Sequence, residues 1–359
     1  MPVQQVYCSW LHRLRQLWPG ERITRVRNMA WLLAGLWMAH SIHLSRVALQ
    51  LPWPIQRASI ERRLNRFLHN AAVRALAWYE PVARQLMAQA VATLGEVRLL
   101  LDTMPIHHRA QVVIVSLAFR RRALPLAWTW IRSGKGHSSS VKQRALLGRV
   151  RRWIPQGTPV VVVGDNEFGS VALIRQVEAW GWDYVLRQKG STLVYLPDTG
   201  SWTALENLVT APGQSRWYRD VLLTGTHQHR CHLLAHWEPG EKEAWFLATS
   251  LGTRSQTLRA YRRRMWADEM HRDLKSQGFH LDKTHIWDWR VLSRLFLALV
   301  LLYVWSAATG THVIKRGLRH LVDRRHRRDL SVFRIGYDML TRNLSHGHPV
   351  RIRLLPYFR

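Results

Sequence analysis

Two apolar runs in this chain each end on an aspartate, Leu99-Leu-Leu-Asp102-Thr and Val160-Val-Val-Val-Gly-Asp165. Well downstream lies a dense charged segment, Tyr261-Arg-Arg-Arg264-Met-Trp-Ala-Asp268-Glu269-Met-His-Arg272-Asp-Leu-Lys275. Acidic side chains on three separate elements of a very basic chain point to metal-dependent chemistry on nucleic acid. Carboxylates bind Mg²⁺ together with water and phosphate oxygens. Two such ions, roughly 3.5–4 Å apart, would clamp the attacking and leaving oxygens of a phosphodiester displacement. Each aspartate alone is an ordinary turn or helix-cap residue. The set of three carries the reading, with Asp102, Asp165 and Asp268 as ligands.

The downstream segment can be sorted by angle. On an uninterrupted helix with Tyr261 at 0°, Arg264 falls at about 300°, Asp268 at about 340° and Lys275 at about 320°. Arg272 is beside them at about 20°, and Glu269 is off the stripe at about 80°. Arg264 and Asp268 at i,i+4 could be no more than a surface ion pair. The chemical reading makes Asp268 the third metal ligand, with Arg264, Lys275 and Arg272 on phosphates. Tyr261 would stack or contact the sugar-phosphate backbone. Glu269 remains the alternative third acid. No Ser or Tyr stands beside a base as an activated nucleophile, so no covalent enzyme intermediate is required.

The elements that must position these residues follow from composition and periodicity. The chain has 359 residues and a formal net charge of +30, from 53 Lys and Arg against 23 Asp and Glu. That imbalance, mostly arginine, favours a polyanion. It is spread along the chain rather than gathered into one membrane-adjacent cluster. Two cysteines, Cys8 and Cys231, cannot build a disulfide framework. The longest apolar runs, Met29 to Ala39 and Leu295 to Ala308, are too short to span a bilayer and read as buried helices. With no secretory signal, a soluble, cytoplasmic protein without a membrane partner is expected. Nineteen tryptophans serve mainly as packing, with one or two available to stack on bases.

Residues 1 to about 95 read as helical. Ser59 is a candidate N-cap before Ile60, Leu64, Phe67 and Leu68, which share a helical face. Arg57, Arg62, Arg63 and Arg66 surround that face, as a DNA-contacting surface or as a solvated one. From Val97 the order becomes β-β-β-α-β-α-β, with Arg120-Arg-Arg122 in a turn, which predicts a mixed sheet with helices on its faces. If the strands bearing Asp102 and Asp165 are parallel neighbours, both carboxylates emerge at one sheet edge. Short strands between residues 190 and 255 predict an all-β insertion. Helical periodicity returns from Thr257 to Gln277, with Gly278 as a stop, then from Arg290 to Ala308. The tail after Lys315 is basic and partly helical. His227, His229 and Cys231 alternate, but their spacing matches no closed zinc site.

Residues Tyr261, Arg264, Asp268 and Lys275 have the spacing of the Y-(2)-R-(3)-E-(6)-K signature, and the segment resembles that of bacterial insertion-sequence transposases of the DDE type. LLLDTMPI and VVVVGDNEFG are similar to the contexts of the family's first two aspartates, although Asp165-Asn166-Glu167-Phe168 replaces its common Asp-Arg-Gly-Phe. A second departure is Asp268 where the family has Glu, one methylene shorter. The resemblance spans roughly residues 95 to 310. It implies a ribonuclease-H-like mixed α/β core over residues 96–190 and 256–359, interrupted by a β insertion at 191–255. A helical DNA-binding domain at 1–95 would precede the core. It also implies two Mg²⁺ ions, replaceable by Mn²⁺, and cut-and-paste transposition between double-stranded transposon ends and target. Trp202 in the insertion would lie near the DNA end. A homodimer and a nucleoid-associated location in a bacterium follow from the same resemblance. A hydrolytic nuclease and an inactive DNA-binding relic are the alternatives.

Overall fold

The computed structural model describes residues 1–133, 136–324 and 326–358. The chain opens with five helices, α1 (Pro2–Leu17), α2 (Ile23–Ala39), α3 (Leu44–Leu49), α4 (Arg57–His69) and α5 (Ala75–Leu94). Helix α4 buries Ile60, Leu64, Phe67 and Leu68 and turns Arg57, Arg62, Arg63 and Arg66 outward. Its N-cap is Gln56 rather than Ser59. The Gln56 carbonyl already accepts from the amides of Ser59 and Ile60, which draws Ser59 into the first turn.

Strands β1 (Val97–His107), β2 (Ala110–Phe119) and β3 (Arg122–Ile131) form an antiparallel meander. The β2–β3 turn puts Arg120 and Arg121 at φ of 43° and 61°, the twist that two-residue hairpins select. Helix α6 (Ser140–Arg151), capped by the Ser139 hydroxyl, leads into β4 (Val160–Gly164), parallel to β1. Helix α7 (Val171–Glu178) leads into β5 (Asp183–Gln188), parallel to β4. The order β3-β2-β1-β4-β5 is that of a ribonuclease-H-like core.

The inserted strands are β6 (Leu193–Leu196), β7 (Ser201–Ala204), β8 (Ser215–Leu223), β9 (His229–His236) and β10 (Trp245–Thr249). β6 and β7 are only four residues each. β10 pairs antiparallel with β5, so the insertion extends the core sheet to ten strands, ordered β3-β2-β1-β4-β5-β10-β9-β8-β6-β7.

The helix expected from Thr257 to Gln277 is two helices, α8 (Arg254–Arg262) and α9 (Met265–Leu274), separated by a turn at Arg263–Arg264. α8 starts earlier than expected because the Thr253 hydroxyl caps it. After α9, a Cβ at Gly278 would lie 2.2 Å from the Asp273 carbonyl oxygen, so the chain can fold back there only on glycine. Helix α10 (Trp289–Lys315) runs 27 residues through the centre of the molecule. It is longer than the apolar run that marked it, and by length and composition alone it is long and apolar enough to cross a membrane. Yet 94% of its most apolar window is covered by the rest of the chain, as for a core helix. Helix α11 (Val332–Ser345) crosses it closely. The fully buried Trp10, Trp37, Trp128 and Trp305 put these tryptophans in the packing role.

Candidate active site

Strand register puts the first two aspartates side by side. In the parallel β1–β4 pair, Leu101 lies opposite Gly164, so Asp102 and Asp165 follow together. β4 ends there, but β1 continues: Asp102 pairs with Ile114 of β2 and the strand runs on to His107. Asp102 is therefore a mid-strand residue rather than the strand-end residue anticipated, because β2 carries β1 past the end of β4. It is 7% exposed, and its Oδ1 accepts from the Thr103 amide at 3.0 Å. Asp165 caps a short 3-10 turn over Asn166–Phe168, accepting from the Asn166 amide at 2.7 Å.

The turn between α8 and α9 closes the site with Arg264. Its Nη1 lies 3.5 Å from Asp102 Oδ1 and 3.8 Å from Asp165 Oδ2. Its Nη2 donates to Asp268 Oδ2 at 3.1 Å. One guanidinium thus stands where a cation can neutralise three carboxylates. The break is a tightening rather than an exit from the helix: Arg263 and Arg264 keep helical dihedrals, and the amides of Arg264 and Ala267 bond three residues back, to the carbonyls of Tyr261 and Arg264.

Two side chains that the sequence reading passed over complete the cluster. His271 sits at i+3 from Asp268 on the same face of α9, with Nδ1 3.8 Å from Asp102 Oδ2. Ligand atoms of Asp102, Asp268 and His271 all lie within 4.8 Å of one another, and among the described residues no other group of three does so. His227, His229 and Cys231 therefore gather no metal site there. Arg187, on β5, places Nη1 3.7 Å from Asp165 Oδ1 and Nη2 2.7 Å from Glu243. Register could have signalled it: Gly164 pairs with Leu186, making Asp165 and Arg187 the next neighbours.

Burial governs the protonation of this cluster. Asp102 is pushed up to about 7 by loss of solvent; Arg264 opposes the shift, and Asp268 and Asp165 add to it. Asp268 is also raised, by burial first and then by Asp165, against Arg264. Burial lowers His271 to about 3, with Lys275 and Arg264 contributing, so the imidazole is neutral and keeps a lone pair. For Arg264, burial is more than offset by Asp102, Asp268 and Asp165, and its pKa rises. Asp102 Oδ2 and His271 Nε2 are buried without hydrogen-bond partners. An unspent carboxylate oxygen beside a neutral imidazole and a second carboxylate fits a divalent cation.

The adjacent carboxylates of α9 diverge. Asp268 faces Asp102, whereas Glu269 pairs with Arg122 at 3.4 Å and Arg272 at 2.8 Å. Arg122 in turn donates to the fully buried Asp273 at 2.6 Å. Lys275 is the C-cap of α9 and half-buried, and burial lowers its pKa. Arg272 is exposed but held by Glu269. Tyr261, expected as an exposed ring, is fully buried with its ring 5.1 Å from that of Trp245. Its hydroxyl nonetheless lies among the charges of the site: burial and then Asp165 raise its pKa, against Arg264 and Arg187. Its ring face is closed to stacking in this structure.

The remaining sequence candidates lie elsewhere. Arg62 and Arg66 are exposed on α4. Arg63 is exposed but bonds Asn28 and lies 4.4 Å over the Trp53 ring. Trp202, 38% exposed beside Tyr195, is on β7 at the sheet edge, six strands from β4. At about 4.8 Å per strand that is up to about 29 Å along the sheet from Asp165.

Sheet order and carboxylate cluster together define a ribonuclease-H-like α/β protein with an acidic centre between its two central parallel strands and a later helix. Residues 113–305 match the family described as "Transposase DDE domain"; this is more than half of the chain, and the chain belongs to that family. The match includes Asp165 and Asp268 and begins after Asp102. No curated protein matches the chain. Among solved structures, it is similar to the cryo-EM structure of the piggyBac transposase synaptic complex with hairpin DNA. That likeness has a TM-score of 0.45 and 11% sequence identity, over 96% of this chain and 78% of the other.

Proposed function

We propose that this DNA transposase is of the bacterial insertion-sequence type and carries the Y-R-E-K signature on Tyr261, Arg264, Asp268 and Lys275. It would cut DNA at transposon ends and join the freed 3′ end to target DNA. The observation that carries the proposal is the convergence of Asp102, Asp165 and Asp268 on Arg264 within a chain of this family. Asp102, Asp165 and Asp268 are the proposed metal ligands, with Mg²⁺ as the ion and Mn²⁺ as a substitute. When bound, divalent ions supply Lewis-acid activation of the attacking oxygen and neutralise charge on the phosphate.

The chain's own residues do the rest. Arg264 neutralises the acids in the ion-free state and is then close enough to grip a phosphate. Lys275 and Arg272, on the same side of α9, extend that grip. His271, held neutral by burial, offers a ring nitrogen beside Asp102 and Asp268 without adding positive charge. Asp268 is favoured over Glu269 as the third acid, because Glu269 is tied to Arg122 and Arg272. The shorter Asp side chain is accommodated because α9 lies close against β1, as the spacing of Asp268, Asp102 and His271 indicates.

The helices of residues 1–95, with Arg62, Arg63 and Arg66, are proposed as the part that binds DNA ends. Residues 191–255, bearing Trp202, would form the insertion, and residues 96–190 and 256–359 the catalytic core. A homodimer bridging two ends and a cytoplasmic, nucleoid-associated location complete the reading. The test is incubation with the inverted repeats that flank the gene, with Mg²⁺ or Mn²⁺. Nicks and joined products support transposition, nicks without joining indicate a hydrolytic nuclease, and no cleavage overturns both.

A further inference from the structure

Of the tryptophans, only Trp202 and Trp287 are exposed among the described residues, and Trp287 is the more open at 48%. It sits in the segment between α9 and α10, against the tip of the β1–β2 hairpin. The His107 and His108 rings meet it edge-on at 4.8 and 5.0 Å. The Arg109 guanidinium lies 4.9 Å from its centroid. His107 Nε2 is 3.1 Å from the Ile286 carbonyl oxygen, which fixes the segment to the hairpin. An exposed indole held by histidines and an arginine is a rigid stacking surface, not a loose loop residue.

The neighbouring Trp289 is half-buried, and two guanidiniums, Arg132 and Arg290, lie over its ring at 5.1 and 5.2 Å from the centroid, against one, Arg109, over the more exposed Trp287. It acts as a mount for two cations beside the open Trp287. Arg132 follows the end of β3, whose Ile131 pairs with Gln111 of β2, so it borders the same sheet end as Arg109. Aromatic face and positive charge together suit a nucleic-acid strand. Duplex DNA hides its ring faces, so a side-on indole finds them only where bases are unpaired.

Position sharpens this. β1 carries both Asp102 and His107. Five residues of strand at about 3.3 Å each separate them by about 17 Å. A stacked strand advances about 3.4 Å per nucleotide, so the platform lies about five nucleotides from the acids. We propose that Trp287, with Arg109, Arg132 and Arg290, takes an unpaired base of the DNA strand leaving the acidic site, about five nucleotides from the reacting phosphate. The proposal rests on Asp102 marking the reactive end, as in the function proposed above.

The test uses the full chain and duplexes ending in the flanking inverted repeat, with single-stranded tails from none to about eight nucleotides. Affinity is read by fluorescence anisotropy of labelled DNA. Affinity should rise about tenfold once the tail reaches about five nucleotides, and Trp287→Ala should remove that gain while leaving blunt-duplex affinity unchanged. Trp287→Phe should keep part of it, which separates stacking from misfolding. A tail of abasic sugars carries the same charge without ring faces and should give no gain. A gain with the abasic tail, no gain with tail length, or equal loss on blunt and tailed DNA overturns the proposal. Cleavage by the wild type on the same DNA is scored separately. A tail effect without cleavage keeps the platform and sinks the transposase reading; cleavage without a tail effect does the reverse.

Discussion

Replacing Arg264 by Gln removes the one cation shared by three carboxylates. At an effective dielectric near 20, each of the three contacts, at 3.5, 3.8 and 3.1 Å, is worth about 4–5 kcal/mol before desolvation is subtracted. Most of that is cancelled by the cost of burying the charges. Removing one partner of a buried ion pair typically costs about 3–5 kcal/mol. For a chain of this length the unfolding entropy is about 0.75 kcal/mol per kelvin, so Tm should fall by about 4–7 °C in chelator at pH 8. Protons offer an escape, because the orphaned carboxyls can bind them; the loss should shrink at pH 5. A divalent ion offers another. Adding Mg²⁺ or Mn²⁺ should raise Tm more in Arg264→Gln than in the wild type, since the ion replaces the missing guanidinium charge. Differential scanning fluorimetry with and without EDTA measures all four conditions. An unchanged Tm in EDTA, or a metal response no larger in the variant, would refute the view that these acids form one cation site.

Three further outcomes follow from the same geometry. Because Asp102 is raised from 3.8 to about 7, it favours the ion-free fold below about pH 4 and that contribution is lost as pH climbs to about 7. Asp102→Asn lacks this loss, so its stability relative to wild type should grow over that window by up to about 4 kcal/mol in chelator; a flat difference across the titration contradicts the burial argument. Arg122→Met strands the fully buried Asp273 and frees Glu269, and should cost about 3–5 kcal/mol by chemical denaturation. A loss under about 1 kcal/mol would mean that the pair does not anchor α9. Arg62→Ala with Arg66→Ala should weaken DNA binding and lower the salt slope by about two; an unchanged slope would remove α4 from the DNA surface.

The parts of this fold that were legible in the sequence are those written in local pattern. Leu99–Leu101 and Val160–Val163 announce buried strands by unbroken apolar runs, and the aspartate after each marks where the run meets a polar site. The separation of Asp268 from Glu269 follows from helical angle, which survives because both lie in α9. What was lost depends on long-range pairing. No Gly or Pro warns that the helix tightens at Arg263–Arg264, where both residues keep helical dihedrals. Tyr261 was read as exposed because Trp245 of β10, which packs against it, is remote from α8 in local pattern. Arg187 and His271 look like ordinary strand and helix residues until β5 and α9 are set beside Asp165 and Asp102. The fusion of the insertion into one sheet rests on β10 pairing with β5, about sixty residues apart in sequence, and nothing local encodes it.

Asp102, Asp165 and Asp268 are proposed above as the reactive centre of a DNA transposase. The most direct measurement is Mg²⁺- or Mn²⁺-dependent cleavage of duplexes carrying the flanking inverted repeats, compared across wild type, Asp102→Asn, Asp165→Asn, Asp268→Asn and Glu269→Gln. Wild type and Glu269→Gln should give nicked and joined products, and the three Asn variants none while they remain folded and bind the same DNA. Cleavage that survives Asp268→Asn but is abolished by Glu269→Gln would contradict that proposal.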